Sequence, residues 1–152
     1  MTEKKPNLIS YLSFKLGKEV FAVNVQSTIK ILQYSSITNV PQSPPNMKGV
    51  INNHGSVLPV FDLSQTLGLK EQQINKNTCI LILSIKGQGQ MSNVGAIVDE
   101  VLSVEDIPET DIKPPPSTGT KNNLTHINGV FNKNDNFVMI LDVDSVFAGI
   151  DL

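Results

Sequence analysis

The sequence predicts a mainly β protein made of two barrel-like halves, with only short helices. Apolar and polar residues alternate in short runs that are separated by Gly- and Asn-containing turns, a pattern typical of antiparallel hairpins. Helical periodicity extends over little more than one turn wherever it occurs. In addition, residues 49–62 are echoed without a gap by residues 129–142, which indicates that both halves follow one hairpin plan.

The chain opens with a hairpin and a short helical segment. Residues 11–16 alternate in period two, and a Gly-Lys turn leads into the strand 19–23. Asn24 can cap a brief helical segment, because its side chain can accept a hydrogen bond from a free backbone N–H. Residues 29–32 are then extended again, and a proline-rich loop over residues 40–45 leads to the next hairpin.

That second hairpin feeds directly into a helix. Two apolar runs flank the turn 52–55, where Asn and Gly tolerate the positive φ that a tight turn needs. Pro59 in the second run favours a sheet edge or a bulge, because proline lacks the N–H of a central strand. Asp62 can cap a helix that begins at about Leu63, and Gly68 can end it in the left-handed region.

The second half begins after an amide-rich surface connector over residues 70–77, the expected internal boundary. Residues 78–85 form a nearly continuous apolar run, which predicts a strand covered on both sides, with Cys79 as a small buried side chain. A Gly-rich turn over 87–90 leads into the strand 93–98. This turn is not a phosphate-binding loop, because no helix with a following Lys, Ser or Thr is present to hold a phosphate.

The remaining segments are a further strand, a spacer and a final hairpin. Residues 99–104 are predicted as a strand or a single turn, and the acidic, proline-punctuated residues 105–116 as a connection. Its three prolines at 114–116 favour an extended spacer over the alternative, a ligand of a signalling domain. Asp142 falls where Asp62 does, before a second short helical end at residues 144–147. Whether hairpins exchange between the halves stays open.

Composition excludes several functions. The chain has 152 residues, a net charge of -2 and a pI near 5.6, which argues against capture of nucleic acid or an anionic membrane. Residues 1–7 are predicted as a flexible terminus and 8–152 as the folded domain. No apolar run has the length of a signal peptide or a bilayer span, so no membrane insertion and a cytoplasmic location are expected. The glycosylation pattern at residues 123–125 is therefore a chance match.

Catalytic and metal-binding patterns are also missing. His54 and His126 are too far apart in sequence for a zinc motif, and no Gly-x-Ser-x-Gly elbow is present. The carboxylates at 99–100 and at 105–106 would point to opposite faces of a strand, so they do not form a general acid and base pair. We therefore expect a non-enzymatic protein without a metal or cofactor.

The stretch 47–63 resembles the CheW-like family of chemotaxis coupling proteins, whose signature runs approximately Lys-Gly-Val-Ile-Asn-x-Arg-Gly-x-Val-x-Pro-Val-x-Asp-Leu. The resemblance extends from about Tyr11 through residues 94–99 and 112–114 to 140–143, nearly the whole chain. It implies two small five-stranded β-barrel subdomains packed around a shared hydrophobic core, with short helices. The residues that match the signature are Lys48, Gly49, Val50, Ile51, Asn52, Gly55, Val57, Pro59, Val60, Asp62 and Leu63.

The resemblance further implies an adaptor that joins the cytoplasmic tip of a methyl-accepting chemoreceptor to the regulatory domain of the histidine kinase CheA. The groove between the barrels would receive the receptor, and another surface would dock on the kinase. The receptor-facing positions map onto Thr28, Lys30, Gly49, His54, Cys79 and Gly95. The positions expected to serve the architecture are Asn52, Gly55, Pro59, Asp62, Gly129 and Asp142.

Two receptor-facing positions depart from the family pattern. His54 replaces the signature Arg, and Lys30 stands where an acidic residue is common. An Arg-carboxylate pair is a permanent ionic contact, whereas Lys30 beside His54 gives repulsion or, with a neutral imidazole, no ion pair. Neutral variation, altered partner choice and loss of receptor coupling all remain open. So do two alternative functions, an adaptor of a type IV pilus system and a module that binds a small ligand or peptide in the groove.

Overall fold

The computed structural model describes residues 7–71, 73–87, 89–115 and 126–148. These residues form ten β-strands and two four-residue α-helices. No helix among them has the length and apolar character that a membrane crossing requires. The strands are β1 (Leu8–Leu16), β2 (Glu19–Asn24), β3 (Thr28–Gln33), β4 (Met47–Asn53), β5 (Ser56–Asp62), β6 (Cys79–Gly87), β7 (Gln90–Val98), β8 (Glu100–Pro108), β9 (Ile127–Lys133) and β10 (Asn136–Leu141), and the helices are α1 (Leu63–Thr66) and α2 (Val143–Val146).

The ten strands form two five-stranded curled sheets, as predicted. Barrel A has the strand order β8-β1-β2-β10-β9, and barrel B has the order β3-β6-β7-β5-β4. The repeat units run along the chain as β1–β5 and β6–β10, yet each barrel combines two strands of one unit with three of the other. The halves therefore exchange their hairpins, which unites the two repeat units in one fold.

In each barrel, a hairpin of one repeat unit is joined to a strand of the other unit by a parallel strand pair. In barrel A, Ile140 of β10 pairs with Ala22 of β2. In barrel B, Val60 of β5 pairs with Gly95 of β7. Because Val60 and Ile140 occupy the same position in the repeat, the two junctions are built alike.

In each barrel, the segment that follows one edge strand is joined to the other edge strand by an isolated backbone bridge. A glycine lies directly beside each bridge. In barrel B, Thr38 exchanges two hydrogen bonds with Val50, with N···O distances of 3.0 and 2.8 Å. A Cβ on Gly49 would overlap the Thr38 carbonyl and would lie 2.6 Å from Cγ2 of Ile37. Gly49 also has a φ of 151°. The glycine is therefore required for the chain to pass so closely.

The same closure recurs in barrel A at the predicted structural position Gly129. Lys113 exchanges hydrogen bonds of 2.9 and 2.8 Å with Val130. A Cβ on Gly129 would lie 2.7 Å from Cγ2 of Ile112 and 3.1 Å from the Lys113 carbonyl oxygen. The repeated stretch thus provides, in each barrel, both a hairpin and the glycine that lets the closing bridge form.

Both predicted helix caps are confirmed. A carboxylate oxygen of Asp62 accepts a hydrogen bond of 3.3 Å from the backbone N–H of Gln65, and Asp142 does the same for Ser145 at 3.3 Å. The second helix starts at residue 143, one residue earlier than expected. Gly68 follows α1 with a φ of 78°, in the left-handed region that commonly ends a helix.

The central hydrophobic core is shared between the barrels, as the resemblance implies. Strands of both sheets contribute to it, and each barrel also encloses a smaller cluster of its own. Burial of each Val, Leu, Ile or Phe side chain in the core contributes about 1.5–3 kcal/mol to stability. The buried members of the shared core are Leu12, Phe14, Leu16, Phe21, Val23, Phe61, Leu63, Leu81, Leu83, Ile85, Val94, Ala96, Val98, Leu141, Val143, Val146 and Phe147.

The expectation that Pro59 marks a sheet edge or a bulge is wrong. Strand β5 lies between β7 and β4, and Pro59 pairs regularly with Val50. Both backbone polar groups of Val50 bond to Thr38 on the other side of β4, so Val50 needs no hydrogen bond from Pro59. On its other side, β5 first pairs with β7 at Val60. The missing N–H therefore leaves no gap in either ladder.

Two further predictions need correction or lie outside the described residues. Strand β8 continues to Pro108 because residues 105–108 pair with the start of β1, a long-range contact that local sequence does not show. Residues 1–6, Pro116 and the pattern at 123–125 lie outside the described residues. Asn7, the last residue of the predicted flexible terminus, accepts a 2.8 Å hydrogen bond from the Glu109 N–H at its carbonyl.

Candidate functional site

A groove of about 250 Å³ lies where the edge strand of one barrel meets the edge strand of the other. The edge strands are β3 and β8, which are the third strands of the two repeat units. We call this feature the inter-barrel groove. It is lined by Leu12, Val25, Thr28, Ile29, Lys30, Ile31 and Val104.

Two bulges shape the walls of the groove. Ile29 is the extra residue of a bulge in β3, and Leu102 is the extra residue of a bulge in β8. A bulge adds twist and re-aims side chains. Ile29 and Leu102 are 53% and 43% exposed, and Ile31 and Val104 beside them are 45% and 59% exposed. Ile29, Ile31 and Val104 line the groove and form an apolar patch on the two edge strands, a feature that commonly marks an interaction site. Leu102 is exposed on β8 but is not among the groove-lining residues.

The floor of the groove is continuous with the shared hydrophobic core. Leu12 is only 3% exposed and belongs to the shared core, and Val25 packs against that core. Asn24 caps the short 3-10 turn that carries Val25, accepting a 2.9 Å hydrogen bond from the Gln26 N–H, as predicted. A partner would therefore meet a preformed apolar surface.

A polar contact at the rim links the two outer strands of barrel B. Lys30 of β3 places its ammonium nitrogen 3.0 Å from Nε2 of His54, the first residue of the β4–β5 turn. An ammonium group can only donate, so this contact is a hydrogen bond when Nε2 accepts, which requires a neutral imidazole with its proton on Nδ1. We call this contact the barrel-B link.

The turn that presents His54 is well defined. The tight turn predicted from the sequence is present, but its positive φ values fall on His54 (52°) and Gly55 (87°) and not on Asn52 or Asn53. The side-chain oxygen of Asn52 accepts a 2.9 Å hydrogen bond from the Gly55 N–H. This hydrogen bond joins Asn52 and Gly55 across the turn, at two of the positions expected from the sequence to serve the architecture.

Barrel A has a corresponding side-chain contact between its outer strands β8 and β9, with a net charge that differs from that of the barrel-B link. Lys133 of β9 forms an ion pair with Glu105 of β8 and lies 3.2 Å from the hydroxyl of Ser103. Hydrogen bonds from Lys133 and, secondarily, from Ser103 lower the pKa of Glu105 below its usual value. The charges in this barrel-A link cancel, whereas the barrel-B link carries one positive charge.

Three of the predicted receptor-facing residues lie in one row across barrel B. The strand register runs from Lys30 through Ile82, Gly95 and Val60 to Gly49. Both glycines are buried. A Cβ on Gly95 would lie 3.0 Å from Cγ2 of Ile80 and 3.1 Å from Cγ2 of Val60. These glycines shape the barrel interior.

The other predicted residues are divided between the groove and its surroundings. Thr28 lines the groove, and its hydroxyl is 3.5 Å from the Asn24 carbonyl oxygen. Cys79 is half-buried rather than fully buried, with its Sγ 3.5 Å from the Asn77 carbonyl oxygen, because it is the first residue of β6. Cys79, Gly49 and Gly95 are not among the groove-lining residues.

Sequence reasoning missed the apolar walls of the groove. In the sequence, Ile29, Ile31, Leu102 and Val104 look like the inward face of ordinary strands. Their exposure depends on two bulges and on which strands form the edges. The single local signal is that apolar residues flank Lys30 on both sides.

A larger apolar cleft of about 820 Å³ lies on barrel A. Phe137, which is 70% exposed, is part of its wall. None of the predicted receptor-facing residues lines it. Its lining residues are Glu19, Asp111, Lys113, Pro114, Ile127, Val130, Phe131, Asn132, Phe137 and Met139.

The described residues contain one close Ser-His pair and no group of three side chains suited to a metal ion. Nδ1 of His126 lies 2.8 Å from Oγ of Ser145, which joins the segment before β9 to α2. Neither residue lines the groove or the cleft. We therefore assign this pair to the packing of α2.

The chain matches a known domain family over nearly its whole length. Residues 10–151 match the model of the CheW-like domain. The chain belongs to the CheW-like domain family.

Individual CheW proteins align with this CheW-like chain over most of its length. It is 31% identical over 145 residues to chemotaxis protein CheW of Helicobacter pylori, covering 95% of this chain and 84% of the relative. It is 32% identical over 130 residues to chemotaxis protein CheW of Bacillus subtilis, covering 86% and 80%. The crystal structure of the scaffolding protein TtCheW from Thermoanaerobacter tengcongensis superposes with a TM-score of 0.81 at 28% identity, covering 97% of this chain and 92% of that one.

Proposed function

We propose that this protein is a non-catalytic cytoplasmic adaptor that couples a chemoreceptor to a CheA-type histidine kinase, with the inter-barrel groove as its receptor site. The observation that carries the proposal is the apolar patch on β3 and β8. Three groove-lining side chains, Ile29, Ile31 and Val104, are between 45% and 59% exposed there, over a floor that includes the buried Leu12. Membership of a family that includes chemotaxis and scaffolding proteins supports the adaptor role.

The shape of the groove favours a helical partner. Its apolar side chains lie on two edge strands, with Ile29 and Ile31 on β3 and Val104 on β8, and an amphipathic helix can place one apolar stripe between them. The apolar anchors would supply most of the affinity, and polar groups on the rim would set the orientation. The tip of a chemoreceptor, as the family resemblance implies, would supply such helices.

The groove is less suited to a small ligand. Pockets for small molecules commonly enclose about 300–1,000 Å³ and bury most of the ligand surface. The inter-barrel groove is smaller, at about 250 Å³, and it lies between two exposed strand edges. A small molecule would leave much of its surface in water there, whereas a helix can extend beyond the groove.

Co-sedimentation with a receptor-tip fragment and with the regulatory domain of the cognate kinase tests the proposal. We expect Ile31→Asp to abolish receptor binding and to retain kinase binding, because the charge would lie in the apolar wall of the groove. Val57→Asp is the matched control, since Val57 is 67% exposed and lies outside the groove. Binding of the unmodified protein to neither partner would refute the adaptor function.

A further inference from the structure

The inter-barrel groove has a single charged group on an otherwise uncharged surface. Among its lining residues, Lys30 is the one with a formal charge. The ion pairs found in the described residues are Lys48 with Glu71 and Lys133 with Glu105, so no carboxylate of the described chain neutralises Lys30. Its partner is the imidazole of His54, which carries no negative charge in either protonation state.

The hydrogen-bonding capacity of Lys30 is only partly used within the chain. A lysine ammonium has three N–H donors. One of them is directed at Nε2 of His54. This contact holds the ammonium at the rim and leaves two donors for a docked partner. In barrel A, by contrast, Lys133 uses its ammonium on Glu105 and Ser103.

Docking of a partner would remove water from the Lys30 ammonium and so change its solvation free energy. A helix seated on Ile29 and Ile31 would displace water around Lys30, and a desolvated ammonium without an anion is costly. A carboxylate on the partner would replace the lost water with a charge-assisted hydrogen bond. A basic group at the same point would add repulsion, so the rim would discriminate among partners by charge.

We propose that Lys30, positioned by His54, is a specificity determinant that selects an amphipathic receptor helix with an Asp or Glu at the edge of its apolar stripe. This inference rests on the proposed function, because it takes the groove as the receptor site. The inference assigns different roles to the apolar residues of the groove and to its charged residue. The isoleucines bind any helix with a suitable apolar stripe, and Lys30 chooses among such helices.

A charge-swap experiment tests this proposal. The probe is a soluble tip fragment of a cognate receptor, with its acidic tip residues changed singly to Lys, and affinity is measured by calorimetry at two salt concentrations. We expect Lys30→Glu to weaken binding about tenfold or more and to reduce the salt dependence. One acid-to-Lys change in the tip should weaken binding to the native protein and restore binding to Lys30→Glu.

Two control variants separate the possible outcomes. Lys18→Glu makes the same change in net charge at the exposed β1–β2 turn and should leave affinity unchanged. If Ile31→Asp abolishes binding but Lys30→Glu does not weaken it, the selection by charge is refuted while the groove remains the receptor site. If the native protein does not bind, or if neither groove variant changes the affinity, the receptor site itself is refuted.

Discussion

Lys30 and His54 come from opposite edges of barrel B, yet the ammonium nitrogen of Lys30 lies 3.0 Å from Nε2 of His54. This contact brings the β4–β5 turn to the rim of the inter-barrel groove. It also requires one state of the imidazole, because a protonated histidine has no acceptor for the ammonium. The link is therefore a polar contact that depends on the histidine tautomer.

The first prediction concerns this tautomer. We expect His54 to be neutral with its proton on Nδ1 at a pH where the link is formed. Long-range ¹H–¹⁵N NMR spectra distinguish the two nitrogens. Lys30→Met removes the donor and should reduce the population of the Nδ1–H form, while His126, which is hydrogen-bonded to Ser145, should be unaffected. An Nε2–H tautomer in the native protein would contradict the link.

A second prediction concerns receptor choice. The double variant Lys30→Glu, His54→Arg would place a carboxylate and a guanidinium where the family pattern has its acidic residue and Arg. We expect its ranking of receptor-tip fragments to shift toward that of standard family members. Competition binding against a panel of tips measures the ranking. An unchanged ranking would mean that the two replacements are neutral variation at the rim.

A third prediction is a graded series of glycine substitutions. Gly49→Ala should be the most costly, at about 1–3 kcal/mol or more, because its Cβ would overlap the Thr38 carbonyl at an unfavourable φ. Gly129→Ala should cost less, since its nearest contact is a side-chain methyl. Gly87→Ala, with no atom within 4 Å of the new Cβ, is the control.

Urea unfolding monitored by circular dichroism measures this series. The Gly87 variant should lie within about 0.5 kcal/mol of the native protein. Equal stabilities for the Gly49 and Gly87 variants would contradict the closure of barrel B by the bridge between Thr38 and Val50.

A fourth prediction follows from Tyr11. Burial, foremost, and the charge of Glu109 raise the pKa of Tyr11 above its usual value of 10.0. The chain has two tyrosines and no tryptophan, so Tyr34→Phe leaves Tyr11 as the one phenol in an ultraviolet titration. We expect it to ionise above pH 10, and Glu109→Gln to lower its pKa in part.

The free energy of unfolding should also depend on the ionisation of Tyr11. Because the folded state holds the Tyr11 proton more tightly, stability should fall as pH rises above the unfolded pKa of about 10. Tyr11→Phe should remove this component of the pH dependence. A titration of Tyr11 at its ordinary pKa would show that the phenol is not buried beside Phe131 as found here.

The fifth prediction concerns the barrel-A link. The lowered pKa of Glu105 means that the ion pair with Lys133 stabilises the fold when the carboxylate is charged. Because both side chains are partly exposed, Lys133→Met should cost at most about 1 kcal/mol at neutral pH. The difference from the native protein should vanish as pH falls through the lowered pKa of Glu105, below its usual 4.5.

Thermal unfolding between pH 3 and pH 7 would measure this effect. Lys18→Met is the control, since Lys18 is exposed and forms no ion pair in the described part of the chain. A Lys133 effect that is constant across this range would indicate lost side-chain packing rather than a lost ion pair.

The local features of the fold were predictable because each depends on atoms within a few residues. Asp62 and Asp142 reach backbone N–H groups three residues ahead, and Asn52 reaches the N–H of Gly55. His54 could be singled out as a turn residue that departs from the family signature. The family pattern placed Lys30 beside His54, but their contact could not be derived from local sequence, because the two residues are 24 positions apart and their strands lie at opposite edges of a sheet.

The sequence by itself determined the hairpins, the caps, the repeat and the family. Tertiary structure alone decided the exchange of hairpins, the interior position of Pro59 and the exposure of Ile29 and Leu102. The physical reason is that alternation and turn chemistry specify a strand but not its neighbour. Which strands become edges, and so which apolar side chains remain in water for a partner to cover, depends on long-range pairing throughout the chain.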